Sequence, residues 1–176
     1  MPPPLNHNMK KGKPRFNQIL EDIRDIKIQG ATNVARAGIK AYKIADKQKQ
    51  FNLKRATKQI LATRPTEPLM QNGIHFLQKS KNLSSSAKKY LDYIRISQGK
   101  IGKKGTTLIK KNMNIFTHCH SSTVIEILKQ AKKKDKKFVV YTTEVEPLLQ
   151  GRKTAKELSE LGIKVIVSPD LAAEHT

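Results

Sequence analysis

The strongest constraint on the fold of this chain is an alternation of apolar and amphipathic runs in its last third. The runs NIFTH (114–118), KFVVYTT (137–143) and IKVIVS (163–168) are short and rich in apolar or β-branched residues, as β-strands are. The intervening segments STVIEILKQAKKK (122–134) and TAKELSEL (154–161) have the periodicity of helices. Strand–helix–strand–helix–strand with apolar strands predicts a parallel sheet, the beginning of a Rossmann-like α/β domain.

The residues before this alternation predict a helical domain. Apolar side chains recur at helical spacing from Phe16 onwards, and the two prolines of RPTEP (64–68) indicate a turn between helices. A further helix is predicted from Ala87 to about Ile96, because KNLSSS before it can cap a helix. The sequence therefore predicts an α+β chain in two parts, with a disordered basic tail over 1–14, a helical N-terminal domain over 15–98, a linker over 99–112 and a partial Rossmann-like domain over 113–176.

The chain carries a net charge of +21, which favours contact with nucleic acid. Three observations weaken that interpretation: arginine is scarce, aromatic residues make up 5% of the chain, and lysines are spread over every predicted element. We interpret the charge as a lysine-rich surface, which leaves nonspecific RNA contact open. The single cysteine excludes an internal disulfide, no apolar run is long enough to cross a membrane, and the first residues lack a signal segment. We therefore expect a cytoplasmic protein.

The segment FTHCHSST (116–123) combines the single cysteine, Cys119, with two histidines and three hydroxyl side chains. It follows the first predicted strand, and ligands of parallel α/β sheets bind beyond the carboxyl ends of the strands. Ser121 and Ser122 lie where the next helix begins, and hydroxyls and free backbone N–H groups there can hold a phosphate. The segment therefore predicts a site for an anionic, polar ligand.

Side chains that follow the second predicted strand are expected at the same edge of the sheet. Glu144, Gln150 and Arg152 supply a carboxylate, an amide and a guanidinium, and the last of these can pair with phosphate. Other interpretations of Cys119 stay open at this point. The two flanking histidines suit zinc but a third ligand is not evident, a cysteine hydrolase needs a base held against the thiol, and a lone cysteine can be a buried packing residue.

Four segments of the chain resemble one known family. The segments IKIQGATNVARAGIKA, TRPTEPL, THCHSSTVIEILKQA and YTTEVEPLLQGRKTAKELSELGIKVIVSPDLAA are similar to the translation initiation factor 2B alpha/beta/delta family. That family includes ribose-1,5-bisphosphate isomerases and methylthioribose-1-phosphate isomerases. The resemblance covers about residues 16–175 and implies a helical N-terminal domain, a Rossmann-like domain and assembly into a dimer or larger oligomer. We expect neither a metal nor a cofactor.

The resemblance also implies roles for individual residues. In the isomerase members, a cysteine at the position of Cys119 and an aspartate further along the chain act on an aldose phosphate. The phosphate-binding positions of the family's RGA and RPT patterns fall on Gln29, Gly30, Ala31 and Arg64. The family's TExxP and QGR patterns fall on Thr143, Glu144, Pro147, Gln150, Gly151 and Arg152. Gln29 and Glu146 stand where the isomerase patterns have arginine.

We therefore expect an initiation factor 2B-like protein with an isomerase-type sugar-phosphate site. The family continues beyond the equivalent of residue 176 and there carries its catalytic aspartate, so this chain is expected to be incomplete. Two linking helices are too few to cover both faces of the sheet, and we expect association with a second copy or with a complementing C-terminal polypeptide. The alternative is a non-catalytic initiation factor subunit that binds a nucleotide or a sugar phosphate.

Overall fold

The computed structural model describes residues 15–48 and 52–175, which fall into two units. The first unit ends at Ser84 and the second begins at Ser85, so the boundary lies earlier than the end of the predicted helical domain at 98. The tail predicted over 1–14 lies outside the described residues. None of the described helices combines the length and the apolar composition that a membrane span requires.

Four helices make up the first unit: α1 (Phe16–Arg24), α2 (Ala31–Lys47), α3 (Leu53–Leu61) and α4 (Pro68–Gln78). The helix α2 contacts each of the other three. The apolar faces meet in a core whose fully buried side chains include Ile23, Ile39, Ile60, Met70 and Ile74. The turn predicted over 64–68 separates α3 from α4, and Pro68 takes the first position of α4, where its missing N–H is harmless.

The second unit contains a three-stranded parallel sheet in the order β1–β2–β3. Its elements after residue 112 are β1 (Met113–Thr117), α6 (Ser122–Lys133), β2 (Phe138–Thr143), α7 (Gln150–Glu160), β3 (Lys164–Ser168) and a 3-10 helix, η1 (Asp170–His175). A long helix, α5 (Leu83–Leu108), precedes them and starts at the boundary between the units. The predicted fold class, a helical part followed by the first strands of a Rossmann-like sheet, is confirmed.

One predicted linker is wrong. The sequence predicts a linker over 99–112, whereas residues 99–108 continue α5. A Cβ atom at Gly102 would lie 2.6 Å from Nε2 of Gln130, and one at Gly105 would lie 2.7 Å from Cδ1 of Ile127. The glycines that resemble a linker in the sequence therefore allow α5 to pack closely against α6, and this contact outweighs their low helix propensity.

One face of the sheet is covered by the two connecting helices. The buried side chains between them and the strands are Ile109, Ile125, Leu128, Ala131, Phe138, Val140, Leu158 and Ile163. On the opposite face, Phe116, Tyr141 and Ile166 lie side by side in register. The side chains of Phe116 and Ile166 are 50% and 37% exposed, so this face carries apolar surface in contact with water.

Candidate functional site

Cys119 lies directly beyond the carboxyl end of β1, in the turn that leads into α6. Its φ of 66° falls in the left-handed region, which is unfavourable for a residue with a side chain. The thiol donates to Oε1 of Gln150 at 2.6 Å. Oγ1 of Thr154 donates to the carbonyl oxygen of Cys119 at 2.9 Å. Both the thiol and the backbone of this strained residue are therefore held by α7.

The two histidines beside Cys119 contact two different threonines. Nδ1 of His118 lies 2.9 Å from Oγ1 of Thr143, and Nδ1 of His120 lies 3.0 Å from Oγ1 of Thr154. Both histidines follow the end of β1 instead of sharing a face of it. Within residues 15–48 and 52–175, no cluster of three or more His, Cys, Asp or Glu side chains is placed to hold a metal ion.

The imidazole of His120 is largely buried, with 13% of its side chain exposed. Burial lowers its pKa below the ordinary value, and the positive charge of Lys153 lowers it further. Glu157, whose carboxylate oxygen lies 3.7 Å from Nε2, acts in the opposite direction by raising the pKa. Protonation of this ring is therefore less favourable in the folded chain than in the unfolded chain.

We expect the melting temperature to decrease as the pH is lowered below about 6.5, because the unfolded chain then binds a proton that folded His120 resists. His120→Asn retains a nitrogen near the position of Nδ1 but has no proton to gain, so it should lose this part of the pH dependence. His75→Asn makes the same replacement at an exposed position and is the matched control. Thermal unfolding between about pH 5 and 8 measures it. Identical profiles for the wild type and His120→Asn would contradict the prediction.

The start of α6 is formed by two exposed serines. Ser121 caps the helix, since its Oγ accepts a hydrogen bond from the N–H of Val124 at 3.4 Å. Ser122 is the first residue of α6, and its Oγ accepts from Nε2 of Gln98 at 3.1 Å. The helix therefore starts where the sequence places it, directly after Cys119 and His120.

The start of α7 brings an arginine and a glutamate together. The helix predicted from Thr154 begins earlier in the structure, because Gln150, Gly151 and Arg152 form the first turn of α7. A Cβ atom at Gly151 would lie 1.6 Å from the carbonyl oxygen of Thr143, so glycine is required where α7 starts against β2. Nε and Nη2 of Arg152 donate to Oε1 of Glu144 at 2.9 and 2.5 Å. The guanidinium therefore already has a carboxylate partner.

Asp170 connects the end of β3 to the loop that follows β2. Its two carboxylate oxygens accept hydrogen bonds from the backbone N–H groups of Val145 and Glu146, each at 2.8 Å. The N–H of Glu146, followed by that of Val145, lowers the pKa of Asp170 and keeps it ionised. The residues selected from the sequence do not include Asp170, because a linear pattern does not reveal which N–H groups a distant carboxylate will reach.

The other four predicted site residues belong to the first unit. Gly30 has a φ of 83° and immediately precedes α2, whose first residue is Ala31. Gln29 is half-buried, and its carbonyl oxygen accepts a hydrogen bond from the side chain of Asn33 at 3.0 Å. Arg64 lies in the turn between α3 and α4. Gln29, Gly30 and Ala31 thus lie together at the start of one helix, and Arg64 lies in a different turn of the same unit.

Comparison with known proteins gives one family. The Initiation factor 2 subunit family matches residues 25–176. A ribose 1,5-bisphosphate isomerase of Pyrococcus furiosus is 34% identical over 181 residues, an alignment that covers 90% of this chain and 56% of that protein. A putative translation initiation factor eIF-2B subunit 2-like protein of Pyrococcus abyssi is 30% identical over 164 residues, covering 89% of this chain and 59% of that protein. The chain thus spans little more than half the length of these relatives.

A solved structure supports the same assignment. The Pyrococcus horikoshii OT3 translation initiation factor eIF-2B superimposes with a TM-score of 0.78 at 25% sequence identity. The match covers 92% of this chain and 62% of that chain. The family model, the curated relatives and the solved structure agree with the resemblance seen in the sequence motifs, and the chain belongs to the initiation factor 2 subunit family.

Proposed function

We propose that the carboxyl edge of the sheet in the second unit is a sugar-phosphate site of the isomerase type, with Cys119 as its reactive group. The observation that carries this proposal is the placement of Cys119 in a strained turn, with its thiol 2.6 Å from Oε1 of Gln150. Strain at a strand end is characteristic of functional residues. The relative from Pyrococcus furiosus, a ribose 1,5-bisphosphate isomerase, supports the class of ligand.

The proposed chemistry is the conversion of an aldose phosphate to a ketose phosphate. In ribose 1,5-bisphosphate the C1 phosphate keeps the sugar ring closed, so the ring must open before hydrogen can move between carbons. Opening breaks the bond between C1 and the ring oxygen, a proton goes to that oxygen, and C1 is left as a phosphorylated oxocarbenium. Cys119 as a thiolate would then take the proton from C2 to give a C1-phosphorylated enol, and protonation of C1 with loss of the C2 hydroxyl proton gives the ketose. Asp170 does not suit the role of ring-opening acid, because two backbone N–H groups keep its carboxylate ionised.

Arg152 is the residue best placed to bind the phosphate in this unit. Glu144 accepts from Nε and Nη2, and a guanidinium has five N–H donors, so the remaining donors can bind a second anion. The side chain of Arg152 is 60% exposed, which makes these donors accessible to a ligand. The ion pair with Glu144 holds the guanidinium at the start of α7, close in the chain to Gln150.

We expect Arg152→Ala to weaken binding of ribose 1,5-bisphosphate by about 1.5–3 kcal/mol, the range for hydrogen bonds to a charged group. Isothermal titration calorimetry measures the affinity directly and does not require turnover. Lys156→Ala removes an equal charge from an exposed position of the same helix and should leave the affinity nearly unchanged. Equal affinity of the wild type and Arg152→Ala would remove Arg152 from the site.

A second measurement follows the thiol itself. Because Cys119 is the single cysteine of the chain, every alkylated molecule reports its reaction. We expect saturating ribose 1,5-bisphosphate to slow alkylation by iodoacetamide several-fold, whereas free ribose, which lacks phosphate, should have no effect. Mass spectrometry of timed samples gives the rate. An unchanged rate in the presence of bound bisphosphate would show that Cys119 lies outside the site.

The second candidate function is a non-catalytic subunit that binds a nucleotide or a sugar phosphate within an assembly. Two observations favour it: Glu144 neutralises part of the charge of Arg152, and Phe116 and Ile166 expose apolar surface that a second copy would bury. The putative initiation factor subunit of Pyrococcus abyssi supports this reading. Phosphorus NMR of the chain mixed with a C-terminal polypeptide that carries the family's catalytic aspartate distinguishes the two candidates. In that mixture, binding of ribose 1,5-bisphosphate without appearance of ribulose 1,5-bisphosphate favours the non-catalytic subunit.

A further inference from the structure

Half of the sixteen lysines in the second unit lie at one edge of the sheet. In a parallel sheet the connections from helix to strand lie at the amino ends of the strands, opposite the candidate site. We call this region the basic edge: it comprises the last turns of the helices, the connections and the first residues of the strands. It contains eight lysines: Lys110, Lys111, Lys132, Lys133, Lys134, Lys136, Lys137 and Lys164. It contains two carboxylates, Asp135 and, as the last residue of α7, Glu160, since Glu157 of the same turn lies against His120. Five of these lysines are already neighbours in the sequence, at 132–137, and the fold adds Lys110, Lys111 and Lys164 to the same edge.

A hollow of about 300 Å³ opens within the basic edge, between the end of α6 and the start of β3. It is lined by Lys132, Asp135, Lys136, Lys137, Phe138, Gly162, Ile163 and Lys164. Four of these eight residues are lysines and one is a carboxylate, so an anion in the hollow meets an excess of positive charge. Of the lining residues, Phe138 and Ile163 are buried and offer little apolar surface to a ligand.

Stabilisation of the fold accounts for only part of this charge. Lysines favour the negative ends of helices, and Lys136 acts in this way. Its Nζ donates to the carbonyl oxygen of Thr106 at 2.7 Å and to that of Ile109. Among the described residues, no lysine of the basic edge lies within ion-pair distance of a carboxylate. The other lysines repel one another, and a bound polyanion would relieve that repulsion.

We propose that the basic edge binds the phosphodiester backbone of a nucleic acid. Lysine ammonium groups act as point charges that neutralise phosphates, and an extended array of them matches a chain of phosphates better than a single phosphate group. Binding through base stacking needs accessible aromatic rings, whereas Phe138, the ring that lines the hollow, is 9% exposed. An acidic protein partner would need apolar anchor sites, which the buried Phe138 and Ile163 do not supply.

The opposite edge of the sheet has a different charge. Glu144, Glu146 and Asp170 follow the strands there, and Arg152 and Lys153 are the cations of the first turn of α7. A long chain of phosphates is therefore attracted more strongly to the basic edge than to the edge that carries Cys119. A bound nucleic acid would leave the candidate sugar-phosphate site accessible, and the inference goes beyond the proposed function.

The test compares two triple variants of the full chain with equal net charge. Lys132→Gln, Lys137→Gln and Lys164→Gln change the basic edge, whereas Lys88→Gln, Lys89→Gln and Lys156→Gln change exposed lysines elsewhere in the unit. Fluorescence anisotropy follows binding to labelled RNA and DNA duplexes of the same sequence between about 50 and 200 mM salt. We expect the edge variant to lose about tenfold or more in affinity and its salt slope to decrease by about one per lysine. The control should differ from the wild type by less than about twofold.

Three results would overturn the proposal. The first is that the wild type binds neither duplex. The second is an equal loss of affinity in both triple variants, which would indicate an effect of net charge alone. The third is binding of polyglutamate that is as tight as binding of the duplexes and equally sensitive to the edge variant, which would indicate an acidic protein partner. A larger loss of affinity in the edge variant for one of the two duplexes supports the proposal and shows whether the basic edge prefers RNA or DNA.

Discussion

Replacing Gly151 with alanine should decrease the free energy of unfolding by about 3 kcal/mol, the upper end of the usual cost of overpacking. The added Cβ would lie 1.6 Å from the carbonyl oxygen of Thr143, and that oxygen belongs to the backbone of the central strand. Neither group can rotate away, so the start of α7 must move off β2. Equilibrium urea denaturation measures the change.

Gly99→Ala is the matched control for this substitution. Gly99 lies inside α5, and a Cβ atom there has no neighbour within 4 Å. Alanine should therefore stabilise the chain by about 0.5–1 kcal/mol, the difference in helix propensity. Equal stability of the two variants would show that α7 does not approach β2 as closely as described.

The Gly151→Ala substitution should also affect the candidate site. Gln150 precedes Gly151, and its Oε1 accepts the hydrogen bond from the thiol of Cys119. Displacement of the first turn of α7 would break this contact, so alkylation of Cys119 should become faster in Gly151→Ala than in Gly99→Ala. The geometry that stabilises the fold and the geometry that holds the thiol thus depend on the same turn.

Replacing Leu158 with alanine should decrease the free energy of unfolding by about 2–5 kcal/mol, the range for truncating a buried leucine. Leu158 has no exposed surface and lies in the core between α7 and the sheet. Its removal leaves a cavity, because the close-packed neighbours can fill only part of the space. The change is measured from urea denaturation curves with a common slope.

The same substitution at Leu148 tests whether burial causes this effect. Leu148 lies in the loop before α7 and is 49% exposed. Leu148→Ala removes the same atoms as Leu158→Ala but leaves no buried cavity, so the free energy of unfolding should change by about 0.5 kcal/mol or less. Equal losses at the two positions would show that α7 does not pack on the sheet as described.

The two edges of the sheet suggest a division of chemistry within one small unit. At the carboxyl edge, Cys119, Glu144 and Arg152 are each held by a named hydrogen-bond partner, which suits a site that positions a small ligand. At the basic edge, the exposed lysines Lys132 and Lys137 have no carboxylate within ion-pair distance among the described residues. That arrangement suits a long, flexible polyanion whose phosphates need no fixed geometry.

The sequence by itself determined the class of fold and the region of the candidate site. Strand and helix periodicities are local, so β1, β2, β3 and α6 were predicted to within a few residues. Parallel topology then requires Cys119 and Arg152 to follow neighbouring strand ends, without knowledge of any distance. The motifs from residue 117 to 173 also indicated the family that the comparisons establish.

Only the tertiary structure decided how these residues pair. The glycines of 99–108 favour a linker locally, but contact with α6 makes the segment helical, because packing energy exceeds the difference in helix propensity. The hydrogen bond of Cys119 with Gln150 and those of Asp170 with the loop after β2 join residues more than twenty positions apart. The sequence shows five lysines of the basic edge together at 132–137, but only the fold brings Lys110, Lys111 and Lys164 to the same edge, because the connections from helix to strand meet there.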